Sequence, residues 1–197
     1  SADDAGLGAH LPDRTAVIWN RPPSEQQDWL DFFATKYPGT KVEFRVWNSN
    51  PLAGLTLGPL FQVAHAVTSK FNTPRNYSSL GGSTTDFHEG LDLDVFTSAA
   101  DSKEPVLCAY SGVVDASSDS AGGYGKYVRV VSNYNGVPFK VWYCHLDARF
   151  VAVGQQVAKG QAVGEIGSTG LVSSEHVHIT LQVPGHGLPG YIIDCLL

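Results

Sequence analysis

The chain has no methionine and only three cysteines among its 197 residues. Cys108, Cys144 and Cys195 show none of the C-x-x-C spacings that mark a thiolate metal site or a redox pair, and an odd number allows at most one intramolecular disulfide. Small buried thiols are the expectation for at least two of them, because free cysteine packs as a small hydrophobe. With no initiator, Ser1 reads as a processed or engineered end, which leaves secretion open. No apolar run approaches the roughly 20 residues that cross a bilayer, and no signal-peptide pattern opens the chain, so no membrane span is expected. Basic residues are scarce as well: 13 Lys and Arg against 19 Asp and Glu give a net charge of −6, with no short Lys/Arg cluster. Nucleic acid needs a basic face and is excluded as a partner.

What is present is an ordinary globular composition, 43% hydrophobic and 16% charged, enough for one domain with a substantial extension. Residues 1–13 carry Gly, Ala, Asp and Pro without periodicity and read as a loose arm. Thr15 to Trp19 is an apolar run closed by Pro22 and Pro23, a short strand. Ser24 with Gln27 makes a capping-box pattern, and Trp29, Phe33 and Tyr37 recur at helical spacing, predicting a helix over 24–37 stopped by Pro38-Gly39. Lys41 to Trp47 alternates as a strand. The first 55 residues thus form a strand–helix–strand accessory segment, with a turn-rich hinge at Asn48 to Pro51.

Residues 56–197 change texture to short β-prone runs punctuated by glycine. Strands are predicted at 105–110, 112–114, 127–131, 139–145 and 176–183, so this part reads as mainly β. Val151-x-x-Gly154-Gln155-x-Val157 is followed at once by Val157-x-x-Gly160-Gln161-x-Val163. Two copies are too few for a solenoid and predict tight corners in a small barrel or sandwich.

Three short stretches carry candidate chemistry. In Glu175 to Leu181 the alternation places His176 and His178 on one face of a strand, as a metal site or as a polar pair on a solvated sheet. His88-Glu89-Gly90-Leu91-Asp92 holds an imidazole and a carboxylate four residues apart, with Gly90 allowing a bend; both donors suit zinc. In Tyr143-Cys144-His145-Leu146-Asp147, strand alternation puts Tyr143 and His145 on one face and turns Cys144 inward. Asp94 reads as a polar strand residue, and His10, His65 and His186 have no partner nearby and take no role.

The ordered set of His88-x-x-x-Asp92, Tyr143-Cys144-His145-Leu146, the glycine-rich run from Val157 to Gly170, and His176-x-His178 resembles the lysostaphin-like zinc metallo-endopeptidases, which hydrolyse peptidoglycan. The likeness runs from about residue 60 to the C-terminus. It implies a mostly antiparallel β-sheet or flattened-barrel catalytic domain with an open groove. It implies His88, Asp92 and His178 as ligands of one Zn2+, and His145 and His176 as catalytic histidines that handle the proton of a zinc-activated water. A secreted or cell-envelope monomer acting on cross-bridge or stem peptides follows, with delivery by a phage as one route. Two departures stand out: Ile179 and Thr180 replace the usual aromatic and acidic residues, and Glu175 replaces a common proline. Tyr77 and Tyr143 offer hydroxyls to an oxyanion or pack the groove wall.

Two other classes compete. A catalytically silent peptidoglycan-binding or regulatory module of the same fold would break the ligand set, which is intact here. A biotinyl or lipoyl carrier would need a modifiable lysine at a hairpin tip, and Lys159 lacks the surrounding motif.

Overall fold

The computed structural model describes residues 15–19, 23–36, 38–39, 41–45, 51–70, 74–75, 86–95, 103–120 and 123–184. In chain order the elements are β1 (Thr15–Trp19), α1 (Pro23–Lys36), β2 (Lys41–Arg45), β3 (His65–Ser69), β4 (Pro74–Arg75) and β5 (Asp86–Phe87). There follow β6 (Leu91–Val95), β7 (Pro105–Leu107), β8 (Gly112–Ser120), β9 (Gly125–Tyr134) and β10 (Val137–Leu146). The last are β11 (Ala148–Arg149), β12 (Gln156–Val157), β13 (Ala162–Glu165) and β14 (Val177–Gln182). Packing divides the chain into two compact units, Ser1–Ala53 and Gly54–Leu197.

In the first unit β1 and β2 pair in parallel, with α1 between them in the chain. A parallel pair cannot be closed by a tight turn, so the intervening helix is a topological necessity. The helix starts at Pro23, one residue before the expected position. Proline suits a first helical turn because it has no N–H to leave unpaired. Ser24 therefore lies inside the helix, and Gln27 donates forward to Asp31 Oδ1 at 2.8 Å instead of completing a capping box. Trp29, Phe32 and Phe33 are buried and touch one another, Phe32 meeting Phe33 edge-on at 5.3 Å. Gly39, at φ +86°, turns the chain out of the helix.

The second unit is built on a seven-stranded sheet of order β12-β8-β9-β10-β14-β6-β3, antiparallel at every pair. The antiparallel β architecture expected from the sequence is present, as an open sheet that does not close into a barrel. Alternation sorts its two faces. Leu91 and Leu93 of β6, Val128 and Val130 of β9, Phe139, Val141 and Tyr143 of β10, and Val177, Ile179 and Leu181 of β14 are all buried on one face. Register confirms the set: Tyr143 lies opposite both Ile179 and Val128, and Ile179 opposite Leu91. Each such side chain contributes about 1.5–3 kcal/mol by leaving water. The segment that follows β7 covers part of this face, with Ala109 N–H donating to Tyr143 Oη at 2.8 Å and Tyr110 meeting Phe139 edge-on at 5.2 Å; β7 itself pairs in a three-stranded sheet of order β11-β13-β7.

The two copies of the Gly-Gln motif form equivalent corners. In each, glycine adopts positive φ, +86° at Gly154 and +84° at Gly160. In each, the glutamine side chain accepts from the backbone three residues earlier, Ala152 N–H to Gln155 Oε1 at 3.2 Å and Ala158 N–H to Gln161 Oε1 at 3.1 Å. The turn between β9 and β10 is Asn135-Gly136, at φ +50° and +85°, the signature of a two-residue hairpin whose twist matches its strands. No helix among the described residues is long and apolar enough to cross a membrane.

Candidate metal centre

The opposite face of the sheet carries the chemistry. On β14, His178 lies opposite Asp92 of β6 on one side and Cys144 of β10 on the other, so all three share a face. His88 arrives from the segment just before β6, where Gly90 lets the chain pass tightly beneath the β14 backbone and the His178 ring. The ligand atoms of His88, Asp92 and His178 fall within 4.8 Å of one another. More closely, His88 Nε2, Asp92 Oδ1 and His178 Nδ1 form a triangle with 2.9 Å sides. All three residues are buried.

The donor chemistry of this triangle calls for a cation. Lys70 O accepts a hydrogen bond from His88 Nδ1 at 2.8 Å, so it is Nε2 that faces the carboxylate as the remaining ring nitrogen. Two electron-pair donors thus face each other across 2.9 Å beside a third, an arrangement that repels unless positive charge lies among them. Corners at that spacing leave positions about 2 Å from all three, the length of zinc–nitrogen and zinc–oxygen bonds. The residues fit a divalent metal with two imidazoles and one carboxylate, leaving a position for water.

Electrostatics point the same way. Burial would raise the Asp92 pKa, but hydrogen bonds and charge from His178 and His88 outweigh it and hold the carboxyl well below the usual carboxylate range. His178 is pushed down to about 4, chiefly by burial and partly by neighbouring imidazoles, against the attraction of Asp92. Both groups are therefore in their metal-binding forms at neutral pH.

Two further histidines border the triangle. His176 Nε2 lies 3.6 Å from Asp92 Oδ1, and its ring centroid is 4.8 Å from that of His145. His145 in turn sits 5.8 Å from His178. His145 reaches the site by a device that strand alternation does not show. Between Tyr143 and Leu146 the β10 chain takes three steps while β9 takes two, a β-bulge that re-aims the side chain. At its centre His145 adopts φ +64°, a left-handed conformation that a residue other than glycine holds only under constraint. The constraint is visible: His145 N–H donates to Tyr124 O at 2.8 Å and Nδ1–H to Thr169 O at 2.9 Å. Burial, together with the His178 and His176 rings, drives its pKa down to about 3, so the ring is neutral and presents its Nε2 lone pair.

The bulge corrects the sequence reading of Tyr143 to His145. Tyr143 lies fully in the core beneath the sheet and has no part in the site. Cys144, expected to turn away from the site, is buried on the site face beside His178, and its thiol is pushed up by burial and by the charges of Glu89 and Asp92. Cys108 and Cys144 are both buried free thiols. Asp94 is half-buried, accepts from Val95 N–H at 2.8 Å and stands outside the triangle. His65 is exposed and packs on Phe61. Tyr77, His10, His186 and Cys195 lie outside the described residues.

Three neighbours of the site were not anticipated. Tyr124 stacks on His178, Glu89 accepts from the Tyr124 hydroxyl, and Thr169 ties the bulge to the following loop. The readable signal was Gly122-Gly123-Tyr124-Gly125, an aromatic between glycines just ahead of a strand.

Comparison with known proteins agrees with this geometry. The model of the family described as Peptidase family M23 matches residues 86–188. The peptidoglycan DD-endopeptidase ShyC of Vibrio cholerae is 33% identical over 120 residues, 60% of this chain and 25% of ShyC. Lysostaphin of Staphylococcus simulans is 38% identical over 80 residues, 40% of this chain and 16% of lysostaphin. The catalytic domain of a mutant of the prophage-encoded M23 protein EnpA from Enterococcus faecalis superposes with a TM-score of 0.53 at 28% identity, covering 69% of this chain and 95% of that domain. The chain spans about a quarter or less of the length of the curated relatives it matches.

Proposed function

The chain belongs to peptidase family M23, and from that membership we propose that it is a zinc-dependent endopeptidase hydrolysing peptide bonds in the cross-bridges or stem peptides of bacterial cell-wall peptidoglycan. The observation that carries this reading is the buried 2.9 Å triangle of His88 Nε2, Asp92 Oδ1 and His178 Nδ1, bordered by two more imidazoles. Residues 56–197 are the catalytic domain, and residues 1–55 are accessory. The protein acts as a monomer in the cell envelope or outside the cell.

In this mechanism His88, Asp92 and His178 hold one zinc ion. Bound there, zinc brings the pKa of a coordinated water toward about 7 and polarises the scissile carbonyl. The protein's own contribution is proton handling and placement. His145 keeps Nδ1–H on the Thr169 carbonyl, which aims Nε2 at the reacting water as a hydrogen-bond acceptor. His176 donates through Nδ1 to Ser174 O at 2.9 Å, which aims its Nε2 at the same centre from the more accessible side. Between them the two rings orient the water, take up its proton and return one to the leaving amine.

The test pairs zinc content with turbidity loss of purified sacculi, for the intact chain and His178→Ala. One zinc per chain and lysis abolished by the substitution are expected, with mass spectrometry of the released fragments naming the bond. Absence of zinc from the intact chain would sink the mechanism.

A further inference from the structure

Three of the four imidazoles at the site are oriented by a backbone carbonyl on their outer nitrogen. Lys70 serves His88, Thr169 serves His145 and Ser174 serves His176, at 2.8–2.9 Å. His178 is the exception. Its Nδ1 faces Asp92 and His88, and its Nε2 is buried without a hydrogen-bond partner among the described residues. A metal-binding histidine takes its orientation from a group on its second nitrogen in almost every known site. Among the described residues no such group faces His178 Nε2, so packing holds the ring.

The His88 and His145 rings meet the His178 ring edge-on at 4.8 and 5.8 Å, and two further surfaces lie against it. A Cβ on Gly90 would fall 2.9 Å from His178 Cε1 and 3.0 Å from Nε2, so only glycine leaves room there. The Tyr124 ring also lies close to parallel with it, at 24° and 5.8 Å between centroids, within the range of favourable offset stacking. Tyr124 is itself fixed at three points. Its hydroxyl donates to Glu89 Oε2 at 2.5 Å, its ring leans on Trp142 at 5.7 Å, and its carbonyl accepts from His145 N–H at 2.8 Å. Hydrogen bonds to a carboxylate are the short, strong kind, and Glu89 sits between His88 and Gly90 in the chain.

We propose that Tyr124 is a positioning residue for both halves of the centre: its ring sets the angle of His178, its carbonyl sets the backbone of His145, and Glu89 locks it in place. This rests on the metal site proposed above. The stack replaces the missing hydrogen bond on His178 Nε2. Without it the imidazole can pivot about its side-chain torsion, and its Nδ1 lone pair no longer points at the place where the Asp92 and His88 donors converge.

Zinc affinity, measured by chelator competition, and the visible absorption of the cobalt-substituted protein test this in wild type, Tyr124→Leu, Tyr124→Phe, Glu89→Gln and Tyr127→Leu. Tyr124→Leu is expected to lower zinc affinity about 10–100-fold, the usual effect of losing an orienting neighbour, and to shift the cobalt bands. Tyr124→Phe keeps the ring but loses the hydroxyl and is expected to lie between Tyr124→Leu and wild type, and Glu89→Gln, which keeps an acceptor for the hydroxyl, to lie between Tyr124→Phe and wild type. Tyr127→Leu removes a ring that stacks on Trp142 at 5.1 Å and is expected to match wild type in both readouts. A purely structural role would lower the unfolding midpoint of the metal-free variants and leave the affinity of the folded protein and the cobalt spectrum where they were. Wild-type affinity and spectrum in folded Tyr124→Leu, or in Tyr124→Phe and Glu89→Gln together if Tyr124→Leu does not fold, overturn the proposal. A wild-type protein that binds neither ion overturns the metal reading itself, and the positioning role with it.

Discussion

Single residues at this site trade stability for chemistry. Gly90 is the clearest case, because a methyl group there meets the Ile179 carbonyl and the His178 ring. Gly90→Ala is expected to destabilise the protein by about 1–3 kcal/mol, the usual cost of overpacking, and to weaken metal binding at the same time. A denaturant midpoint that stays at its wild-type value would contradict it. The histidines make stability depend on pH. His145 at about 3 and His178 at about 4 lie below their ordinary value of 6.5, so the unfolded chain binds protons that the folded chain refuses. Their contribution is complete above about pH 6.5 and is lost as pH falls toward about 4 and then about 3, with a slope up to about 1.4 kcal/mol per pH unit for each. Asp92, depressed below 3.8, adds a loss that begins only under that pH. Urea unfolding of the metal-free protein from pH 8 to 4 is expected to show the midpoint falling below pH 6.5, and His145→Gln to flatten the curve. An unchanged curve in that variant would show that His145 is not the titrating group.

At the scale of elements, the bulge in β10 and the loop around Thr169 form one unit. Thr169 O accepts from His145 Nδ1, and Thr169 Oγ1 accepts from Lys126 N–H at 2.9 Å while donating to Leu146 O at 2.8 Å. One side chain thus bridges β9 and the end of β10. Thr169→Val leaves the Lys126 N–H without its acceptor and is expected to cost about 1–3 kcal/mol, read as a lower denaturant midpoint with unchanged slope. Turnover should fall more than substrate affinity, since the loop that carries the Thr169 carbonyl, the acceptor of His145 Nδ1–H, loses the side-chain bonds that help fix it. A variant with wild-type turnover would separate the bulge from catalysis. The elements were partly legible beforehand: β1, α1, β2, β7, β9, β10 and β14 appear where the hydrophobic pattern places them, while β8 runs past its expected end at residue 114 and the short strands β3, β4 and β5 were not expected. The bulge was not legible, because one extra residue leaves the apolar pattern of Val141 to Leu146 intact while reversing which side His145 faces.

For the whole molecule, the metal should act as a global stabiliser. An ion that binds the folded chain alone adds about 4 kcal/mol at a thousandfold excess over its dissociation constant, so zinc is expected to raise the melting temperature and a chelator to lower it and abolish lysis. Calorimetry with and without chelator checks this, and a melting temperature indifferent to zinc would speak against a built site. The division at Ala53 and Gly54 makes a second expectation: residues 54–197 expressed alone should unfold in one transition and bind one zinc. Loss of cooperative unfolding in that fragment would show that the two units depend on each other.

Some of this was in the sequence by itself. Alternation in β6 and β14 determines that Asp92 and His178 leave the core face, because successive strand side chains point to opposite sides. The glycine at position 90, the Gly-Gln corners and the ordered histidine motifs carry local geometry that a string of residues can state. What only the tertiary structure decided is how these strands line up. Register sets His178 opposite both Asp92 and Cys144, and pairings between residues up to 90 positions apart close the triangle. The role of Tyr124 belongs to the same category. Its ring, its hydroxyl and its carbonyl meet three different segments, and contacts between segments distant in the chain are set by packing, which no local pattern encodes.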